Sequence, residues 1–274
     1  MKILLTGCAG MLGKALAEAL SAHEVIAVDR KELDITDAVA VEKIFTENNF
    51  DFCVNAAAYT AVDKAEEEFA AAGEVNGVAV GILAENCKKR NVKLIHFSTD
   101  YVFDGESDEG YREDAQTNPV NAYGKSKLLG EELIQRSGCD FAIIRLSWLF
   151  GDGKNFVATM LHLGAEKPEI KVVSDQIGKP TYAKDLAEAT AKLIANWQSG
   201  IFHLTNEGET SWFEFAQKIF ELKNLPVKVI PISSHEFPTP ARRPKNSVLL
   251  NTKLPRLRNY EEALRNYLEE KLNY

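Results

Sequence analysis

A glycine-rich turn between the first strand and the first helix constrains the fold of this chain more than any other feature. Residues 2–5 form a short apolar strand that runs directly into the sequence TGCAGMLG at residues 6–13. Apolar residues then recur at helical spacing, from Leu12 through Leu16 to Leu20. Glycines allow the backbone to turn tightly and to approach a pyrophosphate, which then lies at the N-terminus of the following helix. This order of strand, turn and helix predicts a dinucleotide-binding α/β fold.

The second strand provides a further contact for such a dinucleotide. The glycines of the turn have the spacing GxxGxxG, which differs from the usual GxGxxG. The prediction of a dinucleotide therefore depends also on an acid after the second strand. Asp29 follows the strand at 24–28 and lies close to the position, about 20 residues beyond the glycines, where an acid binds the adenosine ribose. Asp29 favours the free 2′-hydroxyl of NAD, whereas Arg30 can cover the 2′-phosphate of NADP. The sequence therefore predicts NADPH or NADH as the cofactor and leaves the choice open.

Strand and helix patterns alternate five times before about residue 150. The predicted strands lie at 2–5, 24–28, 51–54, 92–97 and 141–146, and a long helix is expected at about 70–89. Such alternation predicts an α/β fold with a Rossmann-type, doubly wound parallel sheet. The alternation then loosens, with further elements expected at 170–173, 184–197, 201–204, 211–222 and 260–272. We predict a dinucleotide-binding domain at 1–150 plus roughly 180–204, and a smaller C-terminal α/β lobe at roughly 151–179 and 205–274 that binds the substrate.

Composition and charge argue against several other classes of protein. The 274 residues are 45% hydrophobic and 26% charged, with a net charge of −8 that argues against a nucleic-acid surface. No apolar run approaches the ~20 residues needed to span a bilayer. The apolar run at 3–5 is too short for a secretory signal. The four cysteines are scattered and lack metal-ligand or redox spacing. We predict a cytoplasmic protein with no nucleic-acid, membrane or metal partner.

Carbonyl–alcohol chemistry is indicated by the stretch from Ser98 to Lys127. Tyr123 and Lys127 are four residues apart on a predicted helix, so they share one face. An ammonium there can favour the phenolate, and Thr99 at the end of the fourth strand can share the same oxygen. Lowering a phenol pKa from about 10 to about 7 takes roughly 4 kcal/mol. A positioned tyrosine can then exchange a proton with the oxygen of a ketone being reduced.

Seven ordered motifs resemble those of the extended short-chain dehydrogenase/reductase superfamily and, within it, the dTDP-4-dehydrorhamnose reductase family. They are GCAGMLG (7–13), NAAAYTAVDKAE (55–66), STDYVFDG (98–105), YGKSK (123–127), RLSWLFG (145–151), DQIGKPT (175–181) and RRPKNS (242–247). The resemblance implies reduction of a dTDP-linked 4-keto-6-deoxy sugar. The expected reaction is dTDP-4-dehydro-β-L-rhamnose to dTDP-β-L-rhamnose, the last step of dTDP-L-rhamnose synthesis for cell-surface polysaccharide.

The same resemblance implies a role for individual residues. Tyr123 would be the acid/base, Lys127 would hold the nicotinamide ribose, and Thr99 would complete the catalytic set. The expected cofactor-binding residues are Gly7, Gly10, Met11, Leu12, Gly13, Asp29, Arg30, Asp34, Ile35, Ala58, Tyr59, Thr60, Tyr123 and Lys127. The expected substrate-binding residues are Thr99, Asp100, Trp148, Asn155, Gln176 and Arg242, and the Arg242–Arg243 pair suits phosphate. No step requires a metal. Some relatives form a magnesium-linked dimer, so both a monomer and a homodimer stay open.

Two other functions compete with reduction. Dehydratases of the superfamily carry an Asp-Glu pair just after the threonine, whereas Tyr101 follows Asp100 in this chain. A sugar-nucleotide epimerase on the same scaffold is a related alternative. A regulatory subunit could bind dinucleotide without turnover, as does the β subunit of methionine adenosyltransferase, which resembles this family. The intact Thr99, Tyr123 and Lys127 favour a reductase.

Overall fold

The computed structural model describes residues 1–270, and this part of the chain contains twelve strands and nine α-helices. The strands are β1 (Lys2–Thr6), β2 (Glu24–Val28), β3 (Phe52–Asn55), β4 (Lys93–Thr99), β5 (Phe141–Leu146), β6 (Leu149–Phe150), β7 (Glu169–Val173), β8 (Ile177–Gly178), β9 (Thr181–Tyr182), β10 (Gly200–His203), β11 (Thr210–Ser211) and β12 (Lys228–Ile232). The helices are α1 (Met11–Ala19), α2 (Ala38–Glu47), α3 (Phe69–Gly73), α4 (Ala79–Arg90), α5 (Ala122–Ser137), α6 (Phe156–Glu166), α7 (Ala183–Ala195), α8 (Trp212–Leu222) and α9 (Tyr260–Glu270).

Six parallel strands form the central sheet, in the order β10-β5-β4-β3-β1-β2. The chain leaves β1 in one direction to reach β2 and in the other to reach β3, so the strand order reverses beside β1. Ligands of open α/β sheets bind at the carboxyl ends of the strands at such a reversal. The predicted doubly wound α/β fold is confirmed, and the glycine turn lies at this reversal.

The core has two layers because the strand side chains alternate between the faces of the sheet. Leu4 of β1 packs in the layer formed with α2, α4 and α5, whereas its neighbours Ile3 and Leu5 pack in the layer formed with α1 and α7. All three side chains are fully buried. Each such side chain contributes roughly 1.5–3 kcal/mol through its removal from water.

The long helix predicted at about 70–89 is interrupted. A π-helical turn at Glu74–Val78 separates α3 from α4. The turn contains Asn76, whose Oδ1 accepts a hydrogen bond from Tyr59 N at 2.9 Å and whose Nδ2 donates to Ser126 Oγ at 3.0 Å. A helical periodicity cannot reveal this turn, because these bonds join segments distant in sequence.

A second hydrophobic cluster holds the C-terminal elements together. It joins α6, α8 and α9 through side chains such as Phe215, Ile219 and Leu264. Three two-stranded pairs, β7 with β12, β8 with β11, and β6 with β9, edge this cluster. The helix predicted at 260–272 begins at Tyr260 as expected, while residues 271–274 lie outside the described residues. Within residues 1–270, no helix is both long enough and apolar enough to cross a membrane.

Candidate active site

A cavity of about 750 Å³ lies at the carboxyl ends of β1, β2 and β3. Its lining includes eight of the predicted cofactor residues: Gly7, Gly10, Asp29, Arg30, Asp34, Ile35, Ala58 and Tyr59. The other predicted cofactor residues of this region lie outside the lining. Leu12 and Gly13 are buried at the start of α1, and Thr60 is exposed. Met11 lines a neighbouring depression together with Gly151. The volume is that of a cleft for a ligand of cofactor size.

The glycine turn suits a pyrophosphate. Gly7 has a φ of +71°, and a Cβ at this position would lie 2.6 Å from the Ala57 nitrogen. Gly10 is the N-cap of α1, with no side chain capping the helix and no acid in its first turn. The first N–H groups of α1 are therefore left for an anion, which the helix dipole also favours. The residues present fit a dinucleotide.

Both candidate ribose contacts lie at this cavity. The Asp29 carboxylate accepts a hydrogen bond from Lys31 N at 2.7 Å, and this bond lowers the pKa of Asp29. Arg30 pairs with Asp34 at 3.2 Å, and both side chains are exposed. The acid suited to a free 2′-hydroxyl and the guanidinium suited to a 2′-phosphate are thus both present, and the alternatives predicted from the sequence stay open.

Helix α5 and strand β4 bring the predicted catalytic residues together. Asn121 caps α5, its Oδ1 accepting from Gly124 N at 2.7 Å, so that Tyr123 and Lys127 fall in the first two turns. β4 ends at Thr99, whose hydroxyl accepts from Tyr101 N at 3.2 Å and donates to Asp100 Oδ1 at 2.9 Å. The Tyr101 ring meets the Tyr123 ring edge-on, with centroids 5.9 Å apart.

Burial and a neighbouring carboxylate dominate the electrostatics at Tyr123. Burial and the negative charge of Asp100 raise the pKa of Tyr123 above its ordinary value, and a hydrogen bond with Thr99 opposes this increase only in part. Lys127 Nζ donates to Phe97 O at 2.6 Å and lies 3.3 Å from His96 Nε2. Burial lowers the pKa of Lys127 itself to about 8. Burial and Asp100 dominate the pKa of Tyr123 in the protein alone, and the expectation that the Lys127 ammonium favours the phenolate stays a prediction.

Asp100 is an acid of this site whose carboxylate is buried and only partly hydrogen-bonded. Its side chain is buried, and Oδ2 has no hydrogen-bond partner in the described part of the chain. Burial raises the pKa of Asp100 to about 6. A buried carboxylate oxygen that lacks a partner is costly, and a hydroxyl donor of a bound ligand would satisfy it.

Trp148 and Gln176 lie on neighbouring segments. Trp148 adopts a φ of +47° and stacks on Trp212, with centroids 3.5 Å apart and planes within 8°. A Cβ at Gly178 would lie 2.5 Å from the Trp148 indole, so this glycine allows the ring to approach β8. Gln176 directly precedes β8 and is half-buried. Ile177 of β8 bonds the Arg242–Ser247 segment, which brings a third predicted motif to the same place.

Asn155 and the arginine pair are engaged within the protein. Asn155 caps α6, and its Nδ2 donates to Gly151 O at 2.6 Å. Arg242 is exposed and pairs with Glu106 at 3.0 Å. Arg243 pairs with Asp63, also at 3.0 Å. These contacts explain the local positions of the side chains, and their predicted contacts with a nucleotide-sugar stay predictions.

Several buried polar residues of the site were missed from the sequence. They are Asn55, Asn76, His96, Glu131 and Arg145, each less than 4% exposed. Glu131 accepts from Arg145 Nη2 at 2.7 Å and from Ser98 Oγ. The available signal was a polar residue within an apolar strand, as in LIHFST at 94–99 and FAIIRL at 141–146. That signal marks such residues as unusual without identifying their partners.

Comparisons with known proteins identify the family of this chain. Residues 1–273 match the family model described as RmlD substrate binding domain. The spore coat polysaccharide biosynthesis protein SpsK of Bacillus subtilis (strain 168) is 43% identical, over 98% of both chains. A dTDP-4-dehydrorhamnose reductase of Burkholderia thailandensis is 43% identical, over 93% of this chain and 92% of that one. The crystal structure of a dTDP-4-dehydrorhamnose reductase from Bacillus anthracis str. Ames in complex with NADP is 39% identical, with a TM-score of 0.96 over 98% and 99% of the chains. These matches confirm the resemblance inferred from the motifs.

Proposed function

The chain belongs to the family described as RmlD substrate binding domain, and we propose that it reduces the C4 ketone of dTDP-4-dehydro-β-L-rhamnose to give dTDP-β-L-rhamnose, with NADPH or NADH. The observation that carries the proposal is the group formed by Thr99, Asp100 and Tyr123, with Lys127 one turn further along α5. Tyr59, which lines the cavity suited to a dinucleotide, packs against the same hydrophobic cluster as Tyr123. The named reductases among the relatives, one of them solved with NADP, support the same reaction.

The cofactor would bind in the cavity beside β1. Gly7, Gly10 and the first turn of α1 would hold its pyrophosphate, and Asp29 or Arg30 would contact the adenosine ribose. The bound cofactor supplies the hydride that reduces the ketone. Lys127 would contact the nicotinamide ribose, as the resemblance implies.

Tyr123 would supply the proton. Since its pKa is raised, the phenol keeps its proton at neutral pH and is available to the alkoxide that forms as the ketone is reduced. The Thr99 hydroxyl would stabilise the developing charge, because it lies at the same oxygen and opposes the rise in pKa. The phenolate left behind requires a neighbouring positive charge, which is the role we assign to Lys127 as an ammonium.

The C-terminal lobe would hold the nucleotide-sugar. We assign this lobe to roughly residues 151–179 and 205–274, and the dinucleotide domain to 1–150 with roughly 180–204. The stacked Trp148 and Trp212 offer a flat apolar surface, and Asp100 Oδ2 offers an acceptor for a sugar hydroxyl. A cytoplasmic location, the lack of a nucleic-acid partner and a monomeric or homodimeric state remain predictions from the sequence.

The test follows nicotinamide absorbance with dTDP-4-dehydro-β-L-rhamnose, with wild type beside Tyr123→Phe. Loss of the proton donor should slow the reaction by about 10²–10⁴-fold. Tyr182→Phe is the matched control, because it removes a phenol hydroxyl that bonds Glu270 instead. Equal rates for wild type and Tyr123→Phe would contradict the mechanism. Cofactor binding without ketosugar-dependent oxidation in wild type would favour the regulatory subunit.

A further inference from the structure

A row of buried polar side chains crosses the sheet and ends at Lys127. The strand register places Thr6 of β1 beside Asn55 of β3, and Asn55 beside His96 of β4. None of these three side chains is more than 1% exposed. Thr6 Oγ1 donates to Asn55 Oδ1 at 2.7 Å, Asn55 Nδ2 lies 3.0 Å from His96 Nδ1, and His96 Nε2 lies 3.3 Å from Lys127 Nζ.

The backbone fixes which atoms in this row donate. Ala57 N–H can only donate, and its acceptor is Asn55 Oδ1 at 3.1 Å. The Asn55 amide therefore cannot be flipped, and its Nδ2 must donate towards His96. His96 Nδ1 must then be the acceptor. The orientation of the Asn55 amide thus follows from the Ala57 backbone N–H, which can act only as a donor.

His96 must present a donor to Lys127. Burial, as the main cause, lowers the pKa of His96 well below its ordinary value, so the imidazole is neutral at physiological pH. A neutral imidazole carries one hydrogen, and with Nδ1 as acceptor that hydrogen lies on Nε2. His96 Nε2–H therefore points at Lys127 Nζ.

A donor at this position favours one protonation state of Lys127. An ammonium has three donors and no acceptor, so it would oppose His96 donor to donor. A neutral amine can accept from His96 Nε2–H with its lone pair and donate to Phe97 O at the same time. The lowered pKa of Lys127 agrees with this assignment.

The other groups around Lys127 do not supply a free negative charge. Glu131 lies one turn further along α5 and its charge favours the ammonium of Lys127, but burial outweighs this effect and Arg145 of β5 pairs with Glu131 at 2.7 Å. Tyr123 lies one turn before and keeps its proton. β4 contributes the neutral His96 and the Phe97 carbonyl.

We propose that His96 is a positioning residue that favours the neutral amine of Lys127 at mildly alkaline pH, and that Lys127 there takes up one proton from solvent when it leaves His96 for the nicotinamide ribose. The uptake forms one N–H bond and changes no other bond. The second part rests on the proposed function, in which Lys127 acts as an ammonium beside Tyr123. The first part concerns the protein by itself.

The first experiment titrates wild-type protein alone, with lysine labelled at ¹³Cε and followed by NMR. The signal that disappears in Lys127→Met identifies Lys127. We expect its midpoint near pH 8, well below the ordinary lysine value of about 10.4. A midpoint at or above the ordinary value in the folded protein would overturn the proposal. This result needs no substituted histidine and no catalytic activity.

The second experiment tests whether His96 is responsible. His96→Asn keeps an acceptor for Asn55 but removes the donor facing Lys127, so the Lys127 midpoint should rise by about one pH unit or more. His203→Asn is the matched control, because His203 is equally buried but contacts Arg145 and Leu250 O instead. His96→Gln, whose amide can turn its oxygen to Lys127, should also raise the midpoint and replaces His96→Asn if that variant does not fold. An equal shift in the His203 control would overturn the role of His96.

The third experiment measures proton uptake during NADPH binding. Calorimetry at pH 9 in buffers of different ionisation enthalpy should show uptake of about one proton by wild type and clearly less by His96→Asn. No uptake by wild type would overturn the proposed change in protonation. Because neither this experiment nor the NMR titration uses the ketosugar, failure of the proposed reduction would leave both results interpretable.

Discussion

Helix α5 carries two buried ionisable side chains one turn apart, Lys127 and Glu131. Glu131 is paired with an opposite charge, whereas Lys127, among the described residues, contacts only uncharged groups. Glu131 is fully buried and is held by Arg145 at 2.7 Å together with the Ser98 hydroxyl. Lys127 is only 2% exposed, yet its partners are the uncharged His96 and a backbone carbonyl. The first cluster contains an ion pair, whereas burial in the second lowers the pKa of its lysine.

This difference separates a structural cluster, at Glu131, from the one that we propose to be reactive, at Lys127. Removing an ion from water costs several kcal/mol unless an opposite charge and hydrogen bonds replace the solvent. Glu131 receives both, and its ion pair fastens α5 to β5. Lys127 receives hydrogen bonds without an opposite charge, so a small change of surroundings can alter its protonation. A side chain that must respond to a ligand is better placed in the second kind of cluster.

The largest effect should follow from breaking the ion pair. Arg145→Met leaves Glu131 buried without its counter-charge and should lower the free energy of unfolding by about 3–5 kcal/mol. Urea denaturation measures this loss. Glu131→Leu together with Arg145→Met removes both charges and should recover most of the stability. Lys228→Met, at the exposed pair with Glu169, should cost at most about 1 kcal/mol. A small loss in Arg145→Met would show that the two clusters do not differ as described.

The opposite result is expected from Lys127→Met. Because Lys127 has no ionic partner within residues 1–270, its removal leaves no buried charge there without a counter-charge. The free energy of unfolding should therefore change by less than about 1 kcal/mol or increase. Ketosugar reduction should nevertheless fall by about 10²-fold or more, because the positive charge near Tyr123 is lost. Urea denaturation and nicotinamide absorbance on the same preparation provide both values. A destabilised Lys127→Met variant with normal turnover would contradict the assignment of the reactive cluster.

The pH dependence of stability should also distinguish the clusters. The pKa of Lys127 is about 8 in the folded protein and about 10.4 when unfolded, so the unfolded chain binds more protons between these values. The free energy of unfolding of wild type, relative to Lys127→Met, should therefore rise with pH across this window, by about 1–3 kcal/mol. The contribution is lost as the pH falls through about 8. Urea denaturation from pH 7 to pH 10.5 measures it, and parallel curves for the two proteins would contradict the lowered pKa.

The smallest expected difference in the free energy of unfolding concerns two hydroxyls, that of Ser98, which bonds Glu131, and that of Thr6, which bonds Asn55. Ser98→Ala removes a hydrogen bond to the charged Glu131 and should cost about 1.5–3 kcal/mol. Thr6→Val removes a bond to the neutral Asn55 amide and should cost about 0.5–1.5 kcal/mol, because Ala57 N–H still bonds the same oxygen. Thermal or urea unfolding of both variants tests the ranking, and a larger loss for Thr6→Val would reverse it.

The sequence predicted the features that depend on neighbours along the chain. The alternation of strands and helices predicted the doubly wound sheet, and the helix predicted to carry Tyr123 and Lys127 is α5. The glycine turn and Asp29 lie at one cavity because parallel strands end at the same edge of the sheet. Periodicity and turn chemistry are sufficient for these features.

Features that depend on contacts between distant segments were not predicted. The π-helical turn at Glu74–Val78 contains Asn76, which bonds Tyr59 and Ser126. The pairing of Glu131 with Arg145 and the row from Thr6 to Lys127 require the strand register. The raised pKa of Tyr123 also depends on burial and on Asp100, which spacing alone cannot reveal. The helical spacing correctly predicted that Tyr123 and Lys127 share one helix, whereas their electrostatic coupling stays a prediction.

Hydride transfer to the sugar is the most direct test of the proposed reaction. Wild-type protein is incubated with dTDP-4-dehydro-β-L-rhamnose and NADPH carrying two deuterium atoms at the nicotinamide C4. NMR and mass spectrometry of the sugar product should show one deuterium at C4 of dTDP-β-L-rhamnose, and its formation should be about 10²–10⁴-fold slower with Tyr123→Phe. A sugar that remains unlabelled and unreduced, with NADPH bound to the folded protein, would contradict the proposed function.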